Sequence, residues 1–232
     1  MQVLGIDTAT AVASVGVVTS GTVVELQQPM ASSHARTLLP LIDDVLTSTG
    51  LRLEAIDLLA VSIGPGSFTG LRIGLAVAKG LALGAGKPVV GVPTLRAYAL
   101  AVGARPGEVW TVLDARKGEV YAAGYRWRGD DLQEVVAPAA MSPAALDARL
   151  AAPCTVVGDG VDTYGERWAS IPGLSLMRLA ERPPSGAVVA RLGATLVTEY
   201  GAADLADLEP TYCRLSEAEI HRGGVATVAV ST

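Results

Sequence analysis

The stretch GPGSFTG, Gly64–Gly70, carries the strongest chemical signal in the chain: three glycines in seven residues, a Pro-Gly turn, and an apolar helix directly behind it. Glycine-rich turns that open a helix are the usual cradle for phosphate. Three such motifs nearly fit. A Walker A loop requires Gly-Lys-Ser/Thr at its end, and Gly70 is followed by Leu71 and Arg72. A dinucleotide fingerprint requires glycine at its first, third and sixth positions; Gly64 and Gly66 comply and Thr69 does not. A nucleophile elbow requires glycine two residues either side of Ser67, where Pro65 and Thr69 stand. Two readings remain. The turn's free amides hold an anion, or the glycines only permit a tight turn, which is the favoured reading.

Other reactive residues are sparse. His34 has Leu38 at i+4 rather than a second histidine, and His221 lies near the end of the chain, so no helical metal pair exists. Cys154 and Cys213 are far apart, without CxxC spacing. Asp7, Asp114 and Asp159 are candidates for a shared magnesium site, but an isolated strand-end Asp often only serves its turn. None of these residues forms an evident catalytic centre, and no cofactor or metal is expected.

The elements that must position these residues follow from composition and pattern. The chain has 232 residues, half of them hydrophobic, 18% charged and only 4% aromatic. That length suits one large domain or two lobes, and small aliphatic residues suit helices packed on a sheet. The net charge is −5 and no Lys/Arg run stands out, so a phosphate-gripping RNA face is not expected. The start MQVLGIDTAT is not signal-like, and apolar stretches are broken before membrane-spanning length. A cytoplasmic soluble protein is expected.

Gln2–Thr8, Val12–Val18 and SGTVVEL read as an antiparallel meander. SSHARTLLPLIDDVLTSTG reads as a helix with a Ser N-cap and a closing Gly50, IDLLAVSIG as a buried strand, and KPVVGV as a further strand before a helix near Leu95–Val102. The expected fold class is α/β, with a mixed sheet flanked by helices. GARPGEVW marks a boundary, giving a first lobe over 1–103, a smaller second lobe over 104–214 and a loose tail over 215–232. A late helix near 187–199 is placed to pack back on the first lobe. Asp7 and Asp114 sit at similar places in similar hairpins, a hint of internal duplication.

Two helices carry more apolar surface than a sheet needs. From Gly70 to Leu83 the only charges are Arg72 and Lys79, on one stripe. Ile73, Val77 and Leu81 form an apolar row, and Gly70, Gly74, Ala78 and Ala82 a row of small residues that would let a second helix approach closely. In the earlier helix Leu38, Leu41, Ile42 and Val45 make one face, widened by Leu39 and Leu46, with a kink expected at Pro40. Either both helices meet a partner protein, or each packs on the other in one core; periodicity alone does not choose.

Taken in order, IDTAT, HARTLLPLIDDVL, GPGSFTGLRIGLAVAKGLA, LDARKGEVYAAGY and EPTYCR resemble the bacterial TsaB (YeaZ) family. The resemblance runs from Val3 to Arg214, with Cys213 standing where the family usually has an aliphatic residue. It implies an actin-like ATPase (ASKHA) fold of two RNase H-like lobes. It also implies a role in making threonylcarbamoyladenosine in tRNA, as a non-catalytic scaffold that dimerises with the catalytic paralogue TsaD and is joined by the ATPase TsaE. A homodimer on the same surface is implied in isolation, with tRNA met only through the complex and no membrane. By position, the partner interface would comprise His34, Leu38, Leu39, Ile42, Gly70, Arg72, Ile73, Gly74, Val77 and Ala78. The competing reading is a nucleotide-dependent phosphotransferase or ATPase with Asp7, Thr8 and Thr10 near the phosphates, although Thr8-Ala9-Thr10 lacks the glycine of the usual loop. A metallopeptidase is the third, disfavoured by the two histidines.

Overall fold

The computed structural model describes residues 1–30, 34–181 and 184–213, and only the backbone of 34–36. The proposed tail over 215–232, His221 and the expected Ser N-cap therefore lie outside the described residues.

Apolar alternation and continuous apolar runs build a first sheet from β1 (Val3–Asp7), β2 (Val12–Val18), β3 (Val23–Pro29), β4 (Leu58–Gly64) and β5 (Val89–Pro93). Its order is β3-β2-β1-β4-β5, antiparallel over the meander and parallel from β1 through β4 to β5. α1 (His34–Thr49) and α2 (Phe68–Ala85) cover one face, where Leu4, Ile6, Leu59 and Val61 meet Leu38, Ile42, Leu75 and Ala78. α1 runs through Pro40 as one helix.

The second sheet comprises β6 (Glu108–Arg116), β7 (Glu119–Arg128), β8 (Asp131–Met141), β9 (Cys154–Val157) and β10 (Leu174–Met177), in the order β10-β9-β6-β7-β8. β6 pairs antiparallel with β7 and parallel with β9, as β1 does with β2 and β4. The two sheets thus share one topology, and the internal duplication is real. The short helix α4 (Pro143–Asp147) and α5 (Asp159–Trp168) close one face, their Leu146 and Trp168 clustering with Trp110, Val112 and Val156.

α3 (Thr94–Val102) joins the lobes. Its Ala97 packs toward the first sheet, while Leu95, Tyr98, Ala99 and Val102 pack with Val109, Leu113 and Tyr125 of the second. After β10 the chain returns: α6 (Gly186–Tyr200) lies on the first sheet, its Val189, Ala190 and Leu192 against Val3, Leu58 and Val90. Gly5 permits this seat, since a Cβ there would lie 2.0 Å from the Gly186 carbonyl oxygen.

Candidate functional site

The glycine turn closes onto the β1–β2 turn. The Ser67 amide donates to the Ala9 carbonyl (2.7 Å), and the Thr8 hydroxyl donates to the Gly70 carbonyl (2.8 Å). A Cβ at Gly66 would stand 2.6 Å from the Ala9 oxygen, one at Gly70 2.1 Å from the Thr8 oxygen, and one at Gly74 2.2 Å from Thr8 Oγ1. Real side-chain carbons do not approach so closely, so glycine is required for the contact. The Ser67 hydroxyl accepts from the Gly70 amide and caps the helix. Thr8 and Thr10 are buried. The β1–β2 turn is therefore in contact with the chain's own helix start.

α2 has two faces. Gly70, Leu71, Gly74, Leu75, Ala78 and Ala82 are buried; Phe68, Thr69, Arg72, Ala76, Gly80, Leu83 and Gly84 are exposed. This corrects the interface expected from the sequence. Gly70, Gly74 and Ala78 face the chain's own sheet, because the small residues are needed where the helix crosses Thr8. Leu38 and Ile42 are likewise core residues of this lobe. Leu39 is half exposed, Arg72 is exposed, and Ile73 and Val77 are partly buried; the side chain of His34 lies outside the described ones. Ala76, Gly80 and Leu83 belong to the outward row and were missed, although they share its spacing with Ile73. By length and composition α2 could also cross a membrane, despite Arg72 and Lys79, but its small-residue row is seated on the sheet.

A second feature was out of reach of the sequence. The Arg72 guanidinium lies 4.0 Å from the Phe68 ring centroid and its Nε donates to the Tyr212 hydroxyl at 3.0 Å; the two rings stack at 5.4 Å. Thr211 donates to the Ile63 carbonyl at 2.7 Å. The motifs GPGSFTGLRIG and EPTYCR are therefore one contact, 140 residues apart.

Asp7 is fully buried. Its Oδ1 accepts from the Ala9 amide (2.9 Å), and Oδ2 has no hydrogen-bond partner. Burial pushes its carboxyl up to about 6, against the Ala9 amide and the Ser62 hydroxyl, which favour the charge; Glu25 adds a small repulsion. The Ser62 hydroxyl is close without meeting hydrogen-bond geometry. In the second lobe Asp114 makes the same turn, its Oδ1 accepting from the Arg116 amide, and the Asp114 amide donates to Asp159 Oδ1 at 2.8 Å. Burial also lifts Asp159 to about 6. Asp114 and Asp159 are thus together and Asp7 belongs to the other lobe. Among the described residues no group of three or more His, Cys, Asp or Glu is arranged to hold a metal ion.

Comparison with known proteins agrees with this architecture. The family model described as "TsaD: tRNA N6-adenosine threonylcarbamoyltransferase" matches residues 27–159. A protein of Escherichia coli (strain K12) named tRNA threonylcarbamoyladenosine biosynthesis protein TsaB is 42% identical over 146 residues, 60% of this chain and 63% of that protein. The protein of that name from Bacillus subtilis (strain 168) is 28% identical over 94% of this chain and 96% of its own length. The chain thus spans less than two thirds of the Escherichia coli relative in that alignment. The structure titled "YeaZ from Pseudomonas aeruginosa" superposes with a TM-score of 0.76 at 28% identity, covering 91% of this chain and 99% of that one. A second Pseudomonas aeruginosa structure, described as an uncharacterized protein with similarity to peptidase YEAZ, gives 0.77 at 28% identity, covering 92% and 99%. Two lobes of repeated topology on the actin-like ATPase plan, a glycine turn sealed onto β1 and these matches along the chain lead to one assignment: the chain belongs to the TsaB (YeaZ) family.

Proposed function

We propose that this chain serves tRNA threonylcarbamoyladenosine biosynthesis as a non-catalytic subunit in the cytoplasm. It docks a TsaD paralogue through the outward face of α2 and the adjoining edge of α1, and the ATPase TsaE joins the assembly. In isolation the same face pairs two copies of the chain, and tRNA is met only through the complex. The observation that carries this reading is the outward face of α2: Ile73, Ala76, Val77, Gly80 and Leu83, flanked by Leu39 and Phe68, with Leu83 76% exposed. A solvated helix face is ordinarily polar, and an apolar stripe of this kind marks an interaction site. The contact of the β1–β2 turn with the start of α2 supports this reading over the alternative, a nucleotide-dependent phosphotransferase or ATPase.

Light scattering after size exclusion tests it, on the chain alone and mixed with TsaD. The expected result is a homodimer that converts to a one-to-one heterodimer, with both species lost in Leu83→Glu. A chain that ignores TsaD, or a Leu83→Glu protein that still forms both dimers, overturns the reading.

A further inference from the structure

Three buried side-chain oxygens without partners lie together where the lobes meet. The β1–β4 register pairs Ile6 with Val61, which sets Ser62 beside Asp7. Side chains alternate across a sheet. Ile6 and Val61 face α1 and α2, so Asp7 and Ser62 face the opposite side, where Ala97 of α3 and residues of α6 pack. The Thr94 hydroxyl accepts from the Gly64 amide at 2.9 Å and fixes the first turn of α3 at the end of β4. Tyr98 is four residues on; its hydroxyl lies beside Thr10 and within range of the Asp7 charge. Asp7 Oδ2, Ser62 Oγ and the Tyr98 hydroxyl are each inaccessible to solvent and have no hydrogen-bond partner among the described residues, the nearby Thr10 hydroxyl falling short of hydrogen-bond geometry. Burial raises Tyr98 well above the usual phenol range, and the nearby Asp7 carboxylate raises it further.

Orphaned buried polar atoms cost free energy, and a cluster of them is the ordinary lining of an internal water, which makes about three hydrogen bonds to such groups. We propose that Asp7, Ser62 and Tyr98 bind one internal water that bonds the first sheet to the helix carrying the second lobe. The water donates to Asp7 Oδ2 and Ser62 Oγ and accepts from the Tyr98 hydroxyl, which satisfies all three oxygens at once. The charged groups around the site are Glu25 on β3 and, beyond Tyr98, Asp159 on α5; both raise the potential for holding a proton there.

A crystal structure at a resolution that orders internal solvent tests this directly. The expected result is a peak at roughly 2.7–3.2 Å from all three oxygens, lost in Tyr98→Phe while the lobes stay packed. Ser62 bonded directly to Asp7 with no peak overturns the proposal. So does a peak that grows with added magnesium and stands at roughly 2.0–2.1 Å from Asp7, which would be a cation. Should Tyr98→Phe fail to fold, Ser62→Ala supplies the same comparison. Water-to-amide cross-relaxation at Ala9 gives a solution readout: present in the unsubstituted protein, and its absence there counts against the site.

Discussion

α2 and α5 hold equivalent places in two sheets of one topology, each following the fourth strand, yet their outer surfaces are opposite. Both enter through glycine laid on the first strand of the lobe or the turn after it: Gly70 and Gly74 on Thr8, Gly160 on Val112. Both bury one face. α5 then stops after ten residues and exposes Asp162, Thr163, Glu166 and Arg167. α2 continues for eighteen and exposes Ala76, Gly80, Leu83 and Gly84, with Arg72 its one exposed charge. The fold thus requires the buried glycine face in each lobe and is indifferent to the outside. Among the described residues nothing covers the apolar outside of α2, which is why it carries the proposed partner.

Breaking the inner face should have the largest effect. Gly74→Leu forces a side chain into Thr8 Oγ1, and overpacking of that kind costs about 3 kcal/mol or more; urea unfolding should show a clear fall in midpoint. Gly84→Ala, where a Cβ meets nothing within 4 Å, should instead gain about 0.5–1 kcal/mol from helix propensity. Equal effects at the two glycines would erase the distinction between the faces.

Asp7 sharpens the comparison between the lobes' matching turns. Its carboxyl titrates near 6 in the fold against 3.8 unperturbed, so between those values the folded state holds more protons than the unfolded chain. Stability is then full below about pH 4, falls as pH rises through 6, and levels off above it, by up to about 3 kcal/mol. Asp7→Asn should lessen that fall in a series of melting curves from pH 4 to 7.5 and leave the part that Asp159, also lifted to about 6, contributes over the same range. A slope as steep as before the substitution would place the proton elsewhere.

The outer face predicts a change in association with none in folding. Ala76→Asp should leave the unfolding midpoint within about 0.5 kcal/mol of the starting value and weaken pairing with TsaD at least about tenfold, roughly 1.4 kcal/mol, by titration calorimetry. An equal loss of stability would return α2 to the core. The smallest effect belongs to Arg72→Ala. It removes one exposed cation–ring contact and one hydrogen bond, worth about 0.5–1 kcal/mol. The change should appear as faster amide exchange near Tyr212 rather than as a different assembly.

Much of this was legible in the residues. The meander, the buried run Leu58–Gly64 and the capped Ser67 helix follow from alternation and turn chemistry. The reading of the glycines as a tight turn agrees with the close approach of Gly66 to Ala9 and of Gly70 to Thr8. The duplication was only hinted at, since Asp7 and Asp114 share a turn but their strands share little else. The spacing shows the row Gly70–Gly74–Ala78, but its neighbour is the chain's own first sheet and β1–β2 turn rather than a partner helix. Small residues permit close approach of any backbone, and on a helix apolar nearly all round, periodicity does not say which side meets the sheet. The Thr8 seat and the Arg72–Tyr212 contact depend on tertiary closure between residues distant in sequence, where local pattern has nothing to report.

The return of α6 to the first sheet also has a consequence for biosynthesis. Gly5 and Gly16 leave a trough that Gly186 and Ala187 fill, and Ala203 donates to Val89 beyond it. A nascent chain that has reached Val102 has every strand of its first sheet but not the helix that covers its second face. At about 5–20 residues per second, several seconds of synthesis separate that sheet from its cover. During that interval Val3, Leu58 and Val90 are open to other apolar surfaces, and the ribosome's pace, as well as the finished contacts, bears on the yield of the folded protein.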